Sequence, residues 1–158
     1  MLDQHELFMQ MAIGLAIDGM NNNIGGPFGC VIVKNGEVVG KGCNSVATTN
    51  DPTAHAEVVA IRDACKNLNS FQLDNCFIYS SCEQCPMCLG AIYWARPAKV
   101  YYGCTRQDAA AFQFDDDFIY KELELPLGDR KIPIYQCNRK EAFKVFKAWK
   151  ELEGKVKY

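Results

Sequence analysis

Residues 76–102 read Cys76-Phe77-Ile78-Tyr79-Ser80-Ser81-Cys82-Glu83-Gln84-Cys85-Pro86-Met87-Cys88-Leu89-Gly90-Ala91-Ile92-Tyr93-Trp94-Ala95-Arg96-Pro97-Ala98-Lys99-Val100-Tyr101-Tyr102. Cys76-Phe77-Ile78-Tyr79 is a short apolar run of a length that suits a buried strand. Pro86 suits the first turn of a helix, and the apolar residues behind it carry that helix to about Ala95. Lys99-Val100-Tyr101-Tyr102 is another strand. A strand, a helix and a strand in series make a crossover unit, in which the two strands run parallel.

Upstream, Cys30-Val31-Ile32-Val33 and Glu37-Val38-Val39-Gly40 flank Asn35-Gly36. Asn-Gly between two such runs signals a hairpin, because both residues tolerate positive φ. A hairpin beside a crossover unit gives an α/β fold, a three-layer α-β-α sandwich with a mixed central sheet. Residues 5–20 read as a helix through Leu7, Met11 and Leu15, with Phe8 and Ala12 on the flank. Asp51-Pro52-Thr53 announces another, running to about Cys65, with Asp51 or Thr53 as its cap. Beyond Gly103 the pattern is weaker. Residues 107–120 read as loop and helix, Ile132-Pro133-Ile134-Tyr135 as an edge strand, and 140–153 as an amphipathic helix. No linker, repeat or low-complexity tract divides the chain, so residues 1–158 are expected to form a single domain.

Composition excludes several classes. No apolar run reaches the ~20 residues of a membrane helix. The start, Met1-Leu2-Asp3-Gln4-His5-Glu6, lacks the basic and then apolar character of a secretory signal, so a cytoplasmic location is expected. The net charge of −2 offers no general attraction for nucleic acid. Nine cysteines are many for this length, but an odd count without a leader argues against a disulfide framework. Most read as small buried hydrophobes, and only Cys82, Cys85 and Cys88 have the spacing of metal ligands.

Two segments carry chemistry: His55-Ala56-Glu57 at the start of one helix, and Cys85-Pro86-Met87-Cys88 at the start of another. Zinc favours a tetrahedral set of nitrogen and thiolate ligands, and a catalytic site leaves the fourth position open for water. His55, Cys85 and Cys88 make such a set of three, one zinc per chain. Cysteines at i and i+3 in a first helical turn lie on one side, where the helix N-terminus favours thiolate. Glu57 would sit beside the metal rather than on it, placed to accept a proton from water and pass it to a leaving amine. His-x-Glu followed by Pro-Cys-x-x-Cys is the signature of zinc nucleobase deaminases. Here Gln84 stands where that signature has proline. A structural Cys3His site including Cys82 is the non-catalytic alternative, although such a site has no need of Glu57.

The chain resembles the cytidine-deaminase-like superfamily, and within it the small bacterial guanine deaminases. The resemblance rests on Ile24-Gly25-Gly26-Pro27-Phe28-Gly29, on Asn50 to Glu57, on Cys85 to Pro97, and on Phe114-Asp115-Asp116-Asp117-Phe118-Ile119-Tyr120-Lys121-Glu122. It implies hydrolysis of guanine to xanthine and ammonia, with guanosine, cytidine or cytosine, and transfer-RNA adenosine as the rival substrates. It further implies that Asn44 hydrogen-bonds the purine, that Phe28 and Trp94 line or sandwich it, and that Asp116 recognises guanine and relays a proton. Tyr158 would help close the pocket as part of a C-terminal lid, and the protein would be a homodimer acting on a small purine base.

Overall fold

The computed structural model describes residues 3–114 and 117–157. It divides into two compact units, Met1–Ile119 and Tyr120–Tyr158. In the first, α1 (Gln4–Asn21), β1 (Gly29–Lys34), β2 (Glu37–Cys43), α2 (Val46–Thr49), α3 (Ala56–Leu68), β3 (Cys76–Cys82), α4 (Pro86–Ala95), β4 (Lys99–Cys104) and α5 (Arg106–Ala111) follow in order. The strands form one sheet in the order β2-β1-β3-β4. β1 runs antiparallel to both β2 and β3, while β3 and β4 are parallel across the α4 crossover. The expected mixed sheet is present. Asn35 and Gly36, at φ 53° and 82°, make the tight turn between β1 and β2.

The sheet has an apolar core on each face. Phe8 and Ala12 of α1 pack on Val31, Val33 and Tyr79. Ala56, Ala60 and Ala64 of α3 and Ile92 and Ala95 of α4 pack on Cys30, Ile32, Cys76 and Ile78. Alternate residues of β1 and β3 thus serve opposite layers, as the two-residue period of a strand requires. This is the α-β-α sandwich, built with short side chains.

Shortness matters at both layers. A Cβ on Gly29 would lie 2.1 Å from the Ala12 carbonyl oxygen, so α1 rests on β1 almost backbone to backbone. The buried stripe of α1 is accordingly Phe8, Ala12, Ala16 and Gly19, one position round from the Leu7, Met11, Leu15 stripe expected from hydropathy. Leu7 is 48% exposed. On the other face, a Cβ on Gly42 would lie 2.3 Å from the Ala56 carbonyl oxygen, which seats the first turn of α3 directly on β2.

The start of α3 also departs from expectation. Its N-cap is His55, not Asp51 or Thr53. Asp51 instead accepts from the Thr53 N–H and hydroxyl, at 2.8 and 2.6 Å, and so closes the turn before the helix. α6 (Asp117–Glu124) spans the junction of the two units, and α7 (Arg139–Glu151) belongs to the second. Ile132 to Tyr135 form no strand; one of their backbone hydrogen bonds runs from the Ile134 N–H to the Leu127 carbonyl. Among the described residues, no helix is long and apolar enough to cross a membrane.

Candidate active site

His55 and Cys85 occupy matching places, each the N-cap of a helix with extended backbone. A cap residue projects its side chain past the helix end rather than along its flank, so α3 and α4 aim both groups into one gap. Nδ1 of His55 lies 3.6 Å from Sγ of Cys85 and 3.6 Å from Sγ of Cys88. Bonds of about 2.0 Å to nitrogen and 2.3 Å to sulfur at a tetrahedral ion put such ligands roughly 3.5 Å apart. The trio therefore fits zinc, and among the described residues His55, Cys85 and Cys88 alone form such a cluster, all within 4.8 Å of one another. Cys82 lies outside it: its thiol points to the Thr105 carbonyl, 3.7 Å away.

The two thiols are primed for a cation. The Cys88 thiol donates to Cys85 and His55 stands beside it, which pulls Cys85 down to about 4 against the opposing effect of burial. The Cys88 backbone N–H, at the start of α4, also donates to that sulfur at 3.4 Å. Cys88, bonded to its neighbour's sulfur and buried, is pushed up instead. A divalent cation takes thiolate ligands, so its binding at this pair would be linked to proton release. Gln84, in the place of the signature's proline, is buried, and its Nε2 donates to the Cys82 carbonyl at 3.3 Å. A side-chain bond thus restrains the turn into the ligands that proline restrains elsewhere.

Glu57 lies in the first turn of α3 and is 6% exposed. The Ser80 hydroxyl donates to its Oε1 at 2.9 Å. Burial raises the Glu57 carboxyl above its ordinary range, opposed by its own backbone N–H, the Ser80 hydroxyl and the Cys88 thiol. A carboxyl raised in this way exchanges protons closer to neutral pH than a solvated one, as a general acid–base group requires.

Glu57, His55 and Cys85 open into a pocket of about 500 Å³, whose other walls include Phe28, Asn44, Glu83 and Phe114. Phe28 and Phe114 meet edge to face, with centroids 4.9 Å apart. The Asn44 Oδ1 accepts from the backbone N–H groups of Gly26 and Val46, at 3.3 and 3.4 Å. With Oδ1 engaged there, Nδ2 is the donor that Asn44 has to offer a ligand. Phe28 and Asn44 thus both line the pocket into which Glu57 opens.

Trp94 sits near the C-terminal end of α4, is 65% exposed and is not among the described walls of this pocket. The buried stripe of α4 is Cys88, Ile92 and Ala95, and position 94 faces away from it. Asp116 and Tyr158 lie outside the described residues. Sequence reasoning missed Glu83, Gln113 and Phe114 as pocket walls. Glu83 also anchors the ligand loop, its Oε2 accepting from the Arg106 N–H at 3.0 Å.

Similarities to known proteins converge on this site. The chain is 55% identical to the guanine deaminase of Bacillus subtilis over 154 residues, 98% of this chain and 99% of that one. The X-ray structure of guanine deaminase from that organism superposes with a TM-score of 0.95, covering 98% of each chain. A tRNA-specific adenosine deaminase of Aquifex aeolicus is 46% identical over 76 residues, 48% of this chain and 50% of its own. Residues 2–104 match the cytidine and deoxycytidylate deaminase zinc-binding region. Since that matched region contains His55, Cys85, Cys88 and the buried Glu57, the chain belongs to the cytidine and deoxycytidylate deaminase family.

Proposed function

We propose that this deaminase converts guanine and water to xanthine and ammonia, with one zinc per chain held by His55, Cys85 and Cys88. The observation that carries the reading is a carboxylate, Glu57, buried beside a three-ligand cluster at the floor of a pocket large enough for a purine. Likeness to a guanine deaminase along nearly the whole chain favours guanine over the transfer-RNA substrate, whose Aquifex enzyme is matched over half of it.

Zinc bound there supplies a Lewis acid that brings the pKa of water near 7. Phe28 and Phe114 offer ring surface to the flat base, and Asn44 donates from Nδ2 to one of its acceptors. Glu57 takes a proton from the attacking water and returns it to the departing amine. Asp116 recognises the N1–H and amine edge of guanine, and Tyr158 helps to close the pocket, both by family resemblance. Residues 1–158 act as one deaminase domain, a reading supported by the relative from Bacillus subtilis, which matches 98% of the chain.

The protein is proposed to work as a cytoplasmic homodimer. Its nine cysteines are free, as a reducing compartment keeps them. Val145 and Phe146 on α7, and Tyr93 and Trp94 on α4, are exposed apolar side chains of the kind that a second copy covers.

Ammonia release from guanine, guanosine, adenine, adenosine, cytosine and cytidine tests the substrate. Guanine is expected to give the highest kcat/KM, and preference for a cytosine or adenine compound overturns the reading. The ligand set has its own test. Protein purified without added zinc should carry about one equivalent, as should Cys82→Ala, while Cys88→Ala loses it. Zinc lost from Cys82→Ala and kept by Cys88→Ala would identify the other pair.

A further inference from the structure

The row of β3 side chains that faces α3 and α4 runs through Cys76, Ile78 and Ser80. One member is a hydroxyl, and it is 2% exposed. A buried hydroxyl is costly unless it is bonded, so its presence in an apolar row calls for a partner. That partner is Oε1 of Glu57, at 2.9 Å. Cys30, opposite Ser80 on β1, is fully buried, and burial followed by the nearby Glu57 carboxylate raises its thiol well above the ordinary range. It stays a neutral filler with only a weak donor.

Glu57 lines the pocket and Ser80 does not, so the hydroxyl reaches the carboxylate from behind. A glutamate at a pocket wall has three side-chain torsions, and every rotamer that swings the carboxylate away from the reacting atoms removes it from catalysis. We infer that Ser80 is the positioning residue for Glu57: by holding Oε1 against the sheet, it leaves Oε2 facing the purine. The inference rests on Glu57 as the proton carrier.

The test compares Ser80→Thr with Ser80→Val, two side chains of the same shape that differ in the hydroxyl, and adds Ser80→Ala. Each is measured on whichever purine base releases ammonia fastest, alongside zinc content and melting temperature. Ser80→Val and Ser80→Ala are expected to lose about 10- to 100-fold in kcat, the effect of removing one hydrogen bond to a charged group, with KM within about twofold. Both should keep zinc, and Ser80→Thr should recover most of the loss. A crystal structure of Ser80→Ala should show the Glu57 carboxylate in more than one rotamer. Native kcat in Ser80→Val and Ser80→Ala would overturn the inference. So would equal losses in Ser80→Thr and Ser80→Val, or loss of zinc in Ser80→Ala, since these mark a packing role. Turnover by Glu57→Gln would instead remove the underlying assignment of the proton carrier, whatever Ser80 does.

Discussion

Glu57→Gln is expected to keep zinc, purine affinity and fold while releasing ammonia at least 10²- to 10⁴-fold more slowly, the usual contribution of a general acid–base group. Glutamine preserves the side-chain length and still offers Oε1 to the Ser80 hydroxyl. What changes is the atom facing the pocket. A carboxylate oxygen accepts a proton and later donates it, whereas an amide nitrogen does neither. Because the same carboxyl serves both the water and the leaving amine, the loss falls on kcat. Single-turnover ammonia release and zinc analysis on one preparation decide the matter, and near-native turnover removes Glu57 from the mechanism.

The other large effect belongs to Asp116. Guanine presents N1–H and N2–H donors side by side, and a carboxylate has two oxygens to accept both. Adenine presents a lone pair at N1 and nothing at C2, which leaves the same carboxylate desolvated and unpaired. Asp116→Asn is therefore expected to lower guanine kcat/KM by about 100-fold or more, the effect of losing paired hydrogen bonds to a charged acceptor. Zinc content should not change. Asp117→Asn is the control. Asp117 opens α6 at a half-buried position, where an acidic side chain favours the helix N-terminus by about 0.3 to 2 kcal/mol. Position 116 rests on family resemblance. Normal guanine turnover by Asp116→Asn, or equal losses at 116 and 117, refutes it.

The difference between what could be read early and what could not is physical. His55, Glu57, Cys85 and Cys88 lie within two first turns, where spacing alone fixes direction. Their convergence needs only that α3 and α4 pack on the same face of the sheet, as both do against Cys30, Ile32, Cys76 and Ile78. Glu83, Gln113 and Phe114 come from loops whose course is set by tertiary packing, so no periodicity announced them. Phe114 had one signal: it begins the stretch that carries Asp116. Trp94 belongs to the same motif-rich run but is not among the described walls of the pocket, since six positions beyond Cys88 bring it round to another side of the helix. On α1, hydropathy favoured large residues while the sheet required small ones, and closeness prevailed over burial of area.

That closeness has a dynamic side. Gly42 bars any side chain between β2 and the first turn of α3, and a Cβ at Gly40 would lie 2.6 Å from the Ala60 carbonyl oxygen one turn further on. A helix in contact with a strand at backbone distance has no room to rock inward, and rocking outward would open a void along its length. His55 and Glu57, the proposed ligand and proton carrier, are thus mounted on the stiff wall of the pocket. The facing wall of Gly26, Val46, Ala47 and Gln113 is turn, short helix and loop. Any yielding of the pocket is therefore expected on that side, where a base would enter and leave past the loops while His55 and Glu57 keep their spacing.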